Sequence, residues 1–278
     1  MNLLTQNGVA IRKAGWVEKA VAYDIAIAEP LSDTVRHALQ HEAEDHWKID
    51  VVVQAEAARR KKLIISDMDS TMIEEECIDE LADMVGKKAE VSAITERAMR
   101  GELDFAAALT ERVAMLNGLA VSELTRVLET RIHLSVGART LVATMSAHGA
   151  HSLLVSGGFT FFTSAIAKQI GFAEHAGNTL EIEAGHLTGR VVPPILDKHS
   201  KRVSLRTACD ALKISEAEVL ALGDGANDLP MLQAAGLGVA YRAKPAVRAA
   251  ASAQLNYCTL DALLYAQGIA KADWVSCP

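Results

Sequence analysis

The chain has 278 residues, a length that fits one large domain or two modest ones, and 50% of them are hydrophobic, which is enough for a substantial core. Its 28 basic and 35 acidic side chains give a formal net charge of −7. This acidic balance argues against a nucleic-acid partner, because phosphate backbones are bound by basic surfaces. An anionic small substrate remains compatible with it, since a few local donors can make one cleft positive.

Neither a membrane span nor an export signal is predicted. No segment approaches the roughly 18 uninterrupted apolar residues of a transmembrane helix, and the first residues lack a continuous apolar stretch. The widely separated cysteines form no CxxC pair, which favours reduced thiols and a cytoplasmic location over a disulfide or zinc framework. These cysteines are Cys77, Cys209, Cys258 and Cys277.

Residues 1–60 are predicted to form a small N-terminal α+β unit that carries no chemistry of its own. Residues 17–30 suggest a strand, and residues 48–54 suggest the strand that returns. Ser32 or Asp33 is the candidate N-cap of a helix between them. The role of this unit, whether docking, dimerisation or regulation by an amino acid, stays open.

From residue 61 to 278, short apolar strands alternate with helices. Such alternation is typical of βα units, which build a parallel sheet with helices on both faces. In residues 179–192, apolar and polar side chains alternate on both sides of Ala184-Gly185. This pattern predicts an antiparallel hairpin at one edge of the sheet. The predicted fold class is therefore α/β, with a Rossmann-like parallel sheet. The predicted strands of this sheet are LIIS (63–66), HSLLVS (151–156), EVLALG (218–223) and LGVA (237–240).

The connection between the first two of these strands is much longer than one crossover helix. Residues 76–131 are charged, contain little strand signal and predict four helices. We therefore expect an inserted helical cap, named here the cap (residues 76–131), over the carboxyl edge of the sheet. Residues 137–149 would then form the true crossover helix.

Polar motifs follow the predicted strands, where open α/β sheets place their binding sites. Asp67 and Asp69 come directly after the first strand. Two acids at a strand end suit a metal, an acid–base pair, or a nucleophile with its helper. Ser156 and Gly157 open the helix after the second strand, where exposed N–H groups suit a phosphate oxygen.

A second acidic loop and a lysine complete the pattern. Asp224 lies between glycines in GDGAND, after the third strand. Magnesium prefers carboxylates, water and phosphate oxygens, so this loop suits a Mg²⁺ site. Lys201 belongs to the basic segment KHSKR, in which Lys198 and Arg202 are competing candidates. A lysine in the site would neutralise a phosphate and an attacking carboxylate together.

In this order, the motifs resemble those of the haloacid dehalogenase-like phosphohydrolase superfamily. SDMDSTMIEEECIDELA, ITERAMRGELDF, VSGGFTFF and GDGANDLPML also resemble segments of the bacterial phosphoserine phosphatases. The resemblance covers about residues 62–268, so residues 61–278 would form a phosphatase domain that contains the cap. It implies Mg²⁺-dependent hydrolysis of O-phospho-L-serine to L-serine and phosphate, the last step of L-serine biosynthesis, through an aspartyl-phosphate intermediate.

The same resemblance implies roles around the phosphate. Asp67 would be the nucleophile and Asp69 the general acid and base. The side chains of Asp67 and Asp224 and the backbone carbonyl of Asp69 would hold Mg²⁺, while Asp228 would support these ligands from behind. Lys201 matches the family's site lysine through its separation from Asp224.

Other roles concern the rest of the substrate. Ser156 and Gly157 would hold phosphate oxygens, and Asn227 would contact either the phosphate or the water shell of the metal. In the cap, Glu76 would meet the substrate ammonium and Arg112 its carboxylate. The residues that would close over the substrate are Met99 and Phe105.

Three other functions stay open. A related phosphatase for another small phosphorylated amino acid or metabolite, such as phosphohomoserine, would keep the catalytic residues and change the cap. A dehalogenase would need neither the phosphate clamp nor the second acidic loop. A receiver-like phospho-acceptor module also uses strand-end acids and Mg²⁺, but such domains are shorter and have no large cap. We expect a small-molecule substrate, no nucleic-acid or membrane partner, and a monomer or homodimer.

Overall fold

The described part of the chain, residues 2–100 and 102–275 of a computed structural model, alternates strands and helices beyond residue 60. Its strands are β1 (Ile11–Glu18), β2 (Ala22–Ile27), β3 (Leu63–Ser66), β4 (His151–Phe159), β5 (Glu174–Glu183), β6 (His186–Val192), β7 (Val219–Gly223), β8 (Leu237–Tyr241) and β9 (Ala253–Leu255). Its α-helices are α1 (Asn2–Gln6), α2 (Asp33–Glu42), α3 (Cys77–Met84), α4 (Lys88–Met99), α5 (Phe105–Ala114), α6 (Val121–Thr130), α7 (Ala138–Ala147), α8 (Thr160–Ile170), α9 (Lys198–Leu212), α10 (Leu229–Ala234), α11 (Pro245–Ala250) and α12 (Ala262–Ala266).

Strands β3 to β9 form one sheet in the order β6-β5-β4-β3-β7-β8-β9. Neighbouring strands are parallel except β5 and β6, which pair antiparallel at one edge. The predicted α/β class, its four parallel strands and its edge hairpin are confirmed, while β9 was not predicted. The chain passes from β3 to β4 on one side and later to β7 on the other, so the crevice of the sheet opens beside β3.

Both faces of β3 are covered, which explains its uninterrupted apolar run. Leu63 and Ile65 pack on one face with side chains of α9, α10 and α11, whereas Ile64 packs on the other with α7 and α8. Successive strand residues point to opposite faces, and a strand buried on both sides needs apolar residues throughout. Such a strand is rigidly placed, and so are the residues that follow it.

The cap consists of α3, α4, α5 and α6, as predicted, and α7 is the crossover helix. Two sets of contacts fix it over the sheet. At its base, Ile73 forms a β-bridge with Leu134. At its α5–α6 corner, backbone hydrogen bonds of 2.8 Å join Gly118 and Leu119 to Leu187 of β6. The cap therefore bears on both the core and the edge hairpin.

One strand over residues 17–30 is a wrong prediction. The chain reverses between β1 and β2, which pair antiparallel as a separate two-stranded sheet. Ala20 sits in this turn at a φ of 61°, in the left-handed region that tight turns use. The predicted N-cap of α2 at Ser32 is confirmed, because the Ser32 hydroxyl accepts a hydrogen bond of 3.3 Å from the backbone N–H of Val35.

A strand over residues 48–54 is also a wrong prediction. The carboxylate of Asp50 accepts hydrogen bonds from three consecutive backbone N–H groups, at residues 256–258. Gln54 donates one of 2.7 Å to the carbonyl of Ala266. This segment thus uses its polar groups to attach the N-terminal part to the region after β9, instead of forming a ladder. A unit boundary at residue 60 stays a prediction.

No described helix combines the length and the apolarity that a bilayer crossing requires. Three of the cysteines, Cys77, Cys209 and Cys258, are free thiols, as expected. Cys277 lies outside the described residues.

Candidate active site

A cleft opens where three neighbouring strands end beneath the cap. Because β4, β3 and β7 are adjacent and parallel, the residues that follow them converge at one edge of the sheet. The cleft has an empty volume of about 580 Å³, including its open mouth. All predicted site residues line it except Lys201 and Asp228. The predicted residues that do so are Asp67, Asp69, Glu76, Met99, Phe105, Arg112, Ser156, Gly157, Asp224 and Asn227.

Lys201 contacts Asp67 but does not itself line the cleft. Its Nζ is 2.6 Å from Oδ2 of Asp67 and 2.6 Å from Oδ1 of Asp228, and its side chain is 1% exposed. Burial alone would lower the pKa of this amine, but the two carboxylates outweigh burial and raise the pKa. Lys201 is therefore a buried cation that holds the Asp67 carboxylate.

The position of Lys201 follows from the start of α9. Asp197 caps this helix by accepting hydrogen bonds from the backbone N–H groups of His199 and Ser200, at 3.0 and 2.9 Å. The Ser200 hydroxyl oxygen in turn accepts a hydrogen bond of 3.2 Å from the Asp197 N–H, which completes a capping box. The N-cap at Asp197 fixes the first turn of α9, and the side chain of Lys201 in this turn is buried in the core beneath β3.

Asp67, Asp224 and Asp228 form a buried cluster in which one carboxylate oxygen of each lies within 4.8 Å of the others. Burial raises the pKa of Asp224 well above its usual value, with Asp228 and Asp67 adding to the effect. Burial and the nearby Asp67 raise the pKa of Asp228 to about 7. Three carboxylates against one lysine leave negative charge that a divalent cation would offset.

The loop after β7 owes its shape to a close approach between Gly223 and Asp228. A Cβ at Gly223 would come within 2.4 Å of Cγ of Asp228, so any other residue would displace that carboxylate. Asp228 also accepts a hydrogen bond of 3.1 Å from the backbone N–H of Gly225. The GDGAND segment thereby turns tightly enough to bring Asp224 and Asp228 to the same point.

Asp69 is held apart from this acidic cluster. Its Oδ1 accepts a hydrogen bond of 2.8 Å from the backbone N–H of Cys77, and its Oδ2 accepts one of 3.2 Å from Ser156. Burial raises the pKa of Asp69, and the charge of Asp67 adds to the rise. A carboxyl group with a raised pKa suits proton transfer.

The segment at the end of β4 forms a small-residue cradle. The Ser156 hydroxyl accepts a hydrogen bond of 2.8 Å from the backbone N–H of Gly158. A Cβ at Gly157 would approach Cζ of Phe105 to 2.6 Å, so the ring of the cap residue rests on a bare backbone. The cap thus meets the core at this point and covers the cleft.

Opposite charges face the cleft from the cap side. The carboxylate of Glu76 accepts a hydrogen bond of 2.7 Å from Ser70. Burial raises its pKa well above the usual range, with Asp69 and Asp224 adding to the rise. Arg112 is 6% exposed, and burial lowers its pKa. One acid and one guanidinium in the same cleft as the small-residue cradle suit a ligand that carries an ammonium and a carboxylate.

Two cap residues at this site were not predicted from the sequence. Thr95 lines the cleft and accepts a hydrogen bond of 3.0 Å from Nη1 of Arg112. The same hydroxyl lies 2.8 Å from Oδ1 of Asp79. Helical spacing was the available signal, since Asp79 follows Glu76 by three positions and Thr95 precedes Met99 by four, which puts each pair on one helix face.

Comparisons with known proteins point in the same direction as this geometry. The family model described as haloacid dehalogenase-like hydrolase matches residues 64–233. A phosphoserine phosphatase from Polaromonas sp. (strain JS666 / ATCC BAA-500) is 50% identical over 208 residues, which cover 73% of this chain and 88% of that protein.

Two solved structures extend the similarity to three dimensions. A HAD family hydrolase from Salmonella enterica subsp. enterica serovar Typhi has a TM-score of 0.84 at 31% identity and covers 97% of this chain and 92% of its own. A phosphoserine phosphatase with a phospho-aspartyl intermediate analogue has a TM-score of 0.71 at 33% identity, over 74% of this chain and 98% of its own. The first of these covers nearly the whole chain, and the second covers about three quarters of it.

Proposed function

The chain belongs to the haloacid dehalogenase-like hydrolase family, and from that premise we propose that it is a phosphoserine phosphatase. It hydrolyses O-phospho-L-serine to L-serine and phosphate, which is the last step of L-serine biosynthesis. One observation carries this proposal: the strand-end acids Asp67 and Asp69 share a single cleft with Glu76 and Arg112 of the cap. The first pair suits phosphate chemistry, and the second pair suits the two charges of an amino acid.

Asp67 is the nucleophile in this proposal. Its carboxylate attacks phosphorus, and the bond between phosphorus and the serine oxygen breaks, which gives an aspartyl phosphate. Lys201, 2.6 Å away, holds the attacking carboxylate and offsets the repulsion between two anions. The N–H groups at Ser156 and Gly157 and the amide of Asn227 receive the phosphate oxygens.

Asp69 moves the protons. In its protonated form, which the raised pKa favours, it gives its proton to the departing serine oxygen. As a carboxylate it then takes a proton from the water that attacks phosphorus in the aspartyl phosphate. Phosphate leaves, Asp67 is regenerated as a carboxylate, and Asp69 is protonated again for the next cycle.

The acidic cluster fits a magnesium ion. The side chains of Asp67 and Asp224 and the backbone carbonyl of Asp69 would hold it, with Asp228 bracing Lys201 and the loop after β7. When bound, Mg²⁺ would neutralise the carboxylates and withdraw charge from the phosphate oxygens. The raised pKa values of Asp224 and Asp228 support the assignment, because burial, together with the neighbouring carboxylates, makes their charged forms costly unless a cation is present.

The cap selects the amino acid. Glu76 meets the ammonium and Arg112 grips the carboxylate with parallel N–H donors. Met99 and Phe105 close over the bound substrate and exclude water during the first displacement. A cytoplasmic location belongs to the same proposal, since a metabolic substrate and free thiols both fit a reducing compartment.

Steady-state hydrolysis of O-phospho-L-serine, phosphohomoserine and O-phosphoethanolamine, each with and without Mg²⁺, tests the proposal. We expect kcat/KM to be at least about tenfold higher for phosphoserine than for the other esters, and turnover to cease on chelation. Equal or better hydrolysis of phosphohomoserine would identify a phosphatase for another metabolite. Release of one phosphate per chain followed by a stall would identify a receiver-like phospho-acceptor.

A further inference from the structure

Arg112 is buried, and its two hydrogen bonds in the described part of the chain are both to neutral groups. Its Nε donates a hydrogen bond of 3.1 Å to the carbonyl of Ala108 in the same helix, and Nη1 donates one of 3.0 Å to Thr95. Within residues 2–100 and 102–275, no ion pair to an acid accompanies these two bonds. The carboxylates of Glu76, Asp79 and Asp69 act on this guanidinium through space. Its two hydrogen bonds, both to neutral groups, set its direction.

Thr95 can set that direction because its hydroxyl has one proton and two lone pairs. Its Oγ1 lies 2.8 Å from Oδ1 of Asp79 and 3.0 Å from the carbonyl of Val91. A hydrogen bond to an ionised carboxylate is stronger than one to a neutral carbonyl, so the proton is directed to Asp79. The lone pairs of Thr95 are then left facing Arg112.

Asp79 is itself fixed. Its other oxygen, Oδ2, accepts a hydrogen bond of 2.6 Å from the hydroxyl of Ser92. The chain of contacts from Asp79 through Thr95 to Arg112 therefore crosses α3, α4 and α5, three helices of the cap. Each link is a hydrogen bond between side chains that are buried or partly buried.

We propose that Asp79 and Thr95 are positioning residues that aim Arg112 at the carboxylate of the substrate. This inference rests on the proposed function and adds a specificity device to it. Neither residue touches the reacting phosphate, so both act on the binding of the amino-acid end and not on the chemical step.

The central variant is Thr95→Val, which keeps the shape of the side chain and removes its hydroxyl. Its kinetics are compared on O-phospho-L-serine and on O-phosphoethanolamine, which lacks the carboxylate. We expect KM for phosphoserine to rise about tenfold while kcat stays within about twofold of the wild-type value. This pattern is expected when the lost interaction stabilises the bound substrate and the transition state equally. KM for phosphoethanolamine should stay within about twofold, and Thr95→Ser should restore most of the phosphoserine KM.

Thr110→Val is the matched control. Thr110 lies on α5 with Arg112, is exposed, and donates only to the carbonyl of Ala106 in its own helix. Its replacement should leave both substrates unaffected. A Thr95→Val variant that raises KM equally for both substrates, or lowers kcat for both, would overturn the proposal in favour of a purely structural role.

A double-mutant cycle tests whether Asp79 acts through Thr95. Asp79→Ala should raise KM for phosphoserine in the wild-type background, but add less than about twofold to Thr95→Val, because residues in one chain of contacts are not additive. Fully additive effects of the two substitutions on KM would contradict a role of Asp79 that acts through Thr95.

Crystal structures separate this inference from the proposed function. If the wild type does not prefer phosphoserine to phosphoethanolamine, the proposed substrate is wrong. The positioning role is then decided by Arg112 in structures of wild type and Thr95→Val. A guanidinium that moves in the variant supports the role, and one that keeps its place overturns it, whatever the substrate.

Discussion

Nζ of Lys201 lies 2.6 Å from Oδ2 of Asp67, and of the two residues only Asp67 lines the cleft. The lysine can therefore hold and neutralise the Asp67 carboxylate, the proposed nucleophile, without lining the cleft itself. The same amine lies 2.6 Å from Asp228, so one buried cation serves two buried acids. Removing it leaves both without compensation.

We expect Lys201→Met to lower the free energy of unfolding by about 3–5 kcal/mol, the cost of breaking a buried ion pair. It should also lower kcat by more than about a hundredfold, because the attacking carboxylate loses its nearest cation. Urea unfolding and steady-state kinetics measure the two effects. Lys62→Met is the control, since Lys62 pairs with Glu218 at an exposed site and should contribute less than about 1 kcal/mol. An equal loss in the free energy of unfolding for the two variants would contradict the role of Lys201.

Asp69→Asn separates the two displacements. An amide keeps the shape of the side chain but neither gives nor takes a proton, so phosphoserine turnover should fall by about 10²–10⁴. With p-nitrophenyl phosphate, whose leaving group needs no proton, the first displacement should still occur and the second should stall. Stopped-flow absorbance should then show a burst of nitrophenol that matches the amount of enzyme. A variant with no burst would show that Asp69 is needed for attack itself.

Metal binding should strengthen with pH. Burial and Asp67 raise the pKa of Asp228 to about 7, so between pH about 4 and 7 the metal-free folded protein holds a proton that the unfolded chain has lost. Stability without metal therefore falls as the pH rises through that window. Mg²⁺ competes with this proton and with the one on Asp224, whose pKa burial also raises. The rise in Tm at a fixed Mg²⁺ concentration should be larger at pH 8 than at pH 6, and equal rises would contradict the coupling.

The N-terminal part should contribute to stability through Asp50. Its carboxylate accepts hydrogen bonds of 2.7, 3.0 and 2.8 Å from the backbone N–H groups of residues 256–258. Asp50→Ala should lower the free energy of unfolding by about 2–4 kcal/mol, because those donors lose a charged acceptor. Its kcat should not change, since the contact lies outside the cleft. Glu56→Ala, which removes an exposed partner of Arg12, is the control, and a loss no greater than the control's would show that the contact contributes little.

The central sheet and the site loops could be predicted because their signals are local. The run LIIS is apolar throughout, since β3 is buried on both faces, and Asp67 and Asp69 directly follow it. The glycines on either side of Asp224 predict a tight turn after β7. In each case a short segment contains both the element and the reason for it.

Other features depend on contacts between distant segments, which a single sequence does not reveal. Residues 48–54 look like a strand, yet the Asp50 carboxylate and Nε2 of Gln54 form hydrogen bonds with groups more than two hundred positions away. The depth of Lys201 depends on how α9 packs beneath β3, and the link from Asp79 to Arg112 depends on how three cap helices meet. Such tertiary contacts override local propensity.

Covalent attack by Asp67 is the central claim, and trapping the intermediate tests it most directly. Wild-type protein mixed with O-phospho-L-serine and Mg²⁺ is quenched in acid within the first turnover, digested and mapped by mass spectrometry. We predict one added phosphoryl group on the peptide that contains Asp67, and none in the Asp67→Asn variant, which should also be inactive. Turnover with no phosphorylated peptide, or with the phosphoryl group on another residue, would contradict the mechanism.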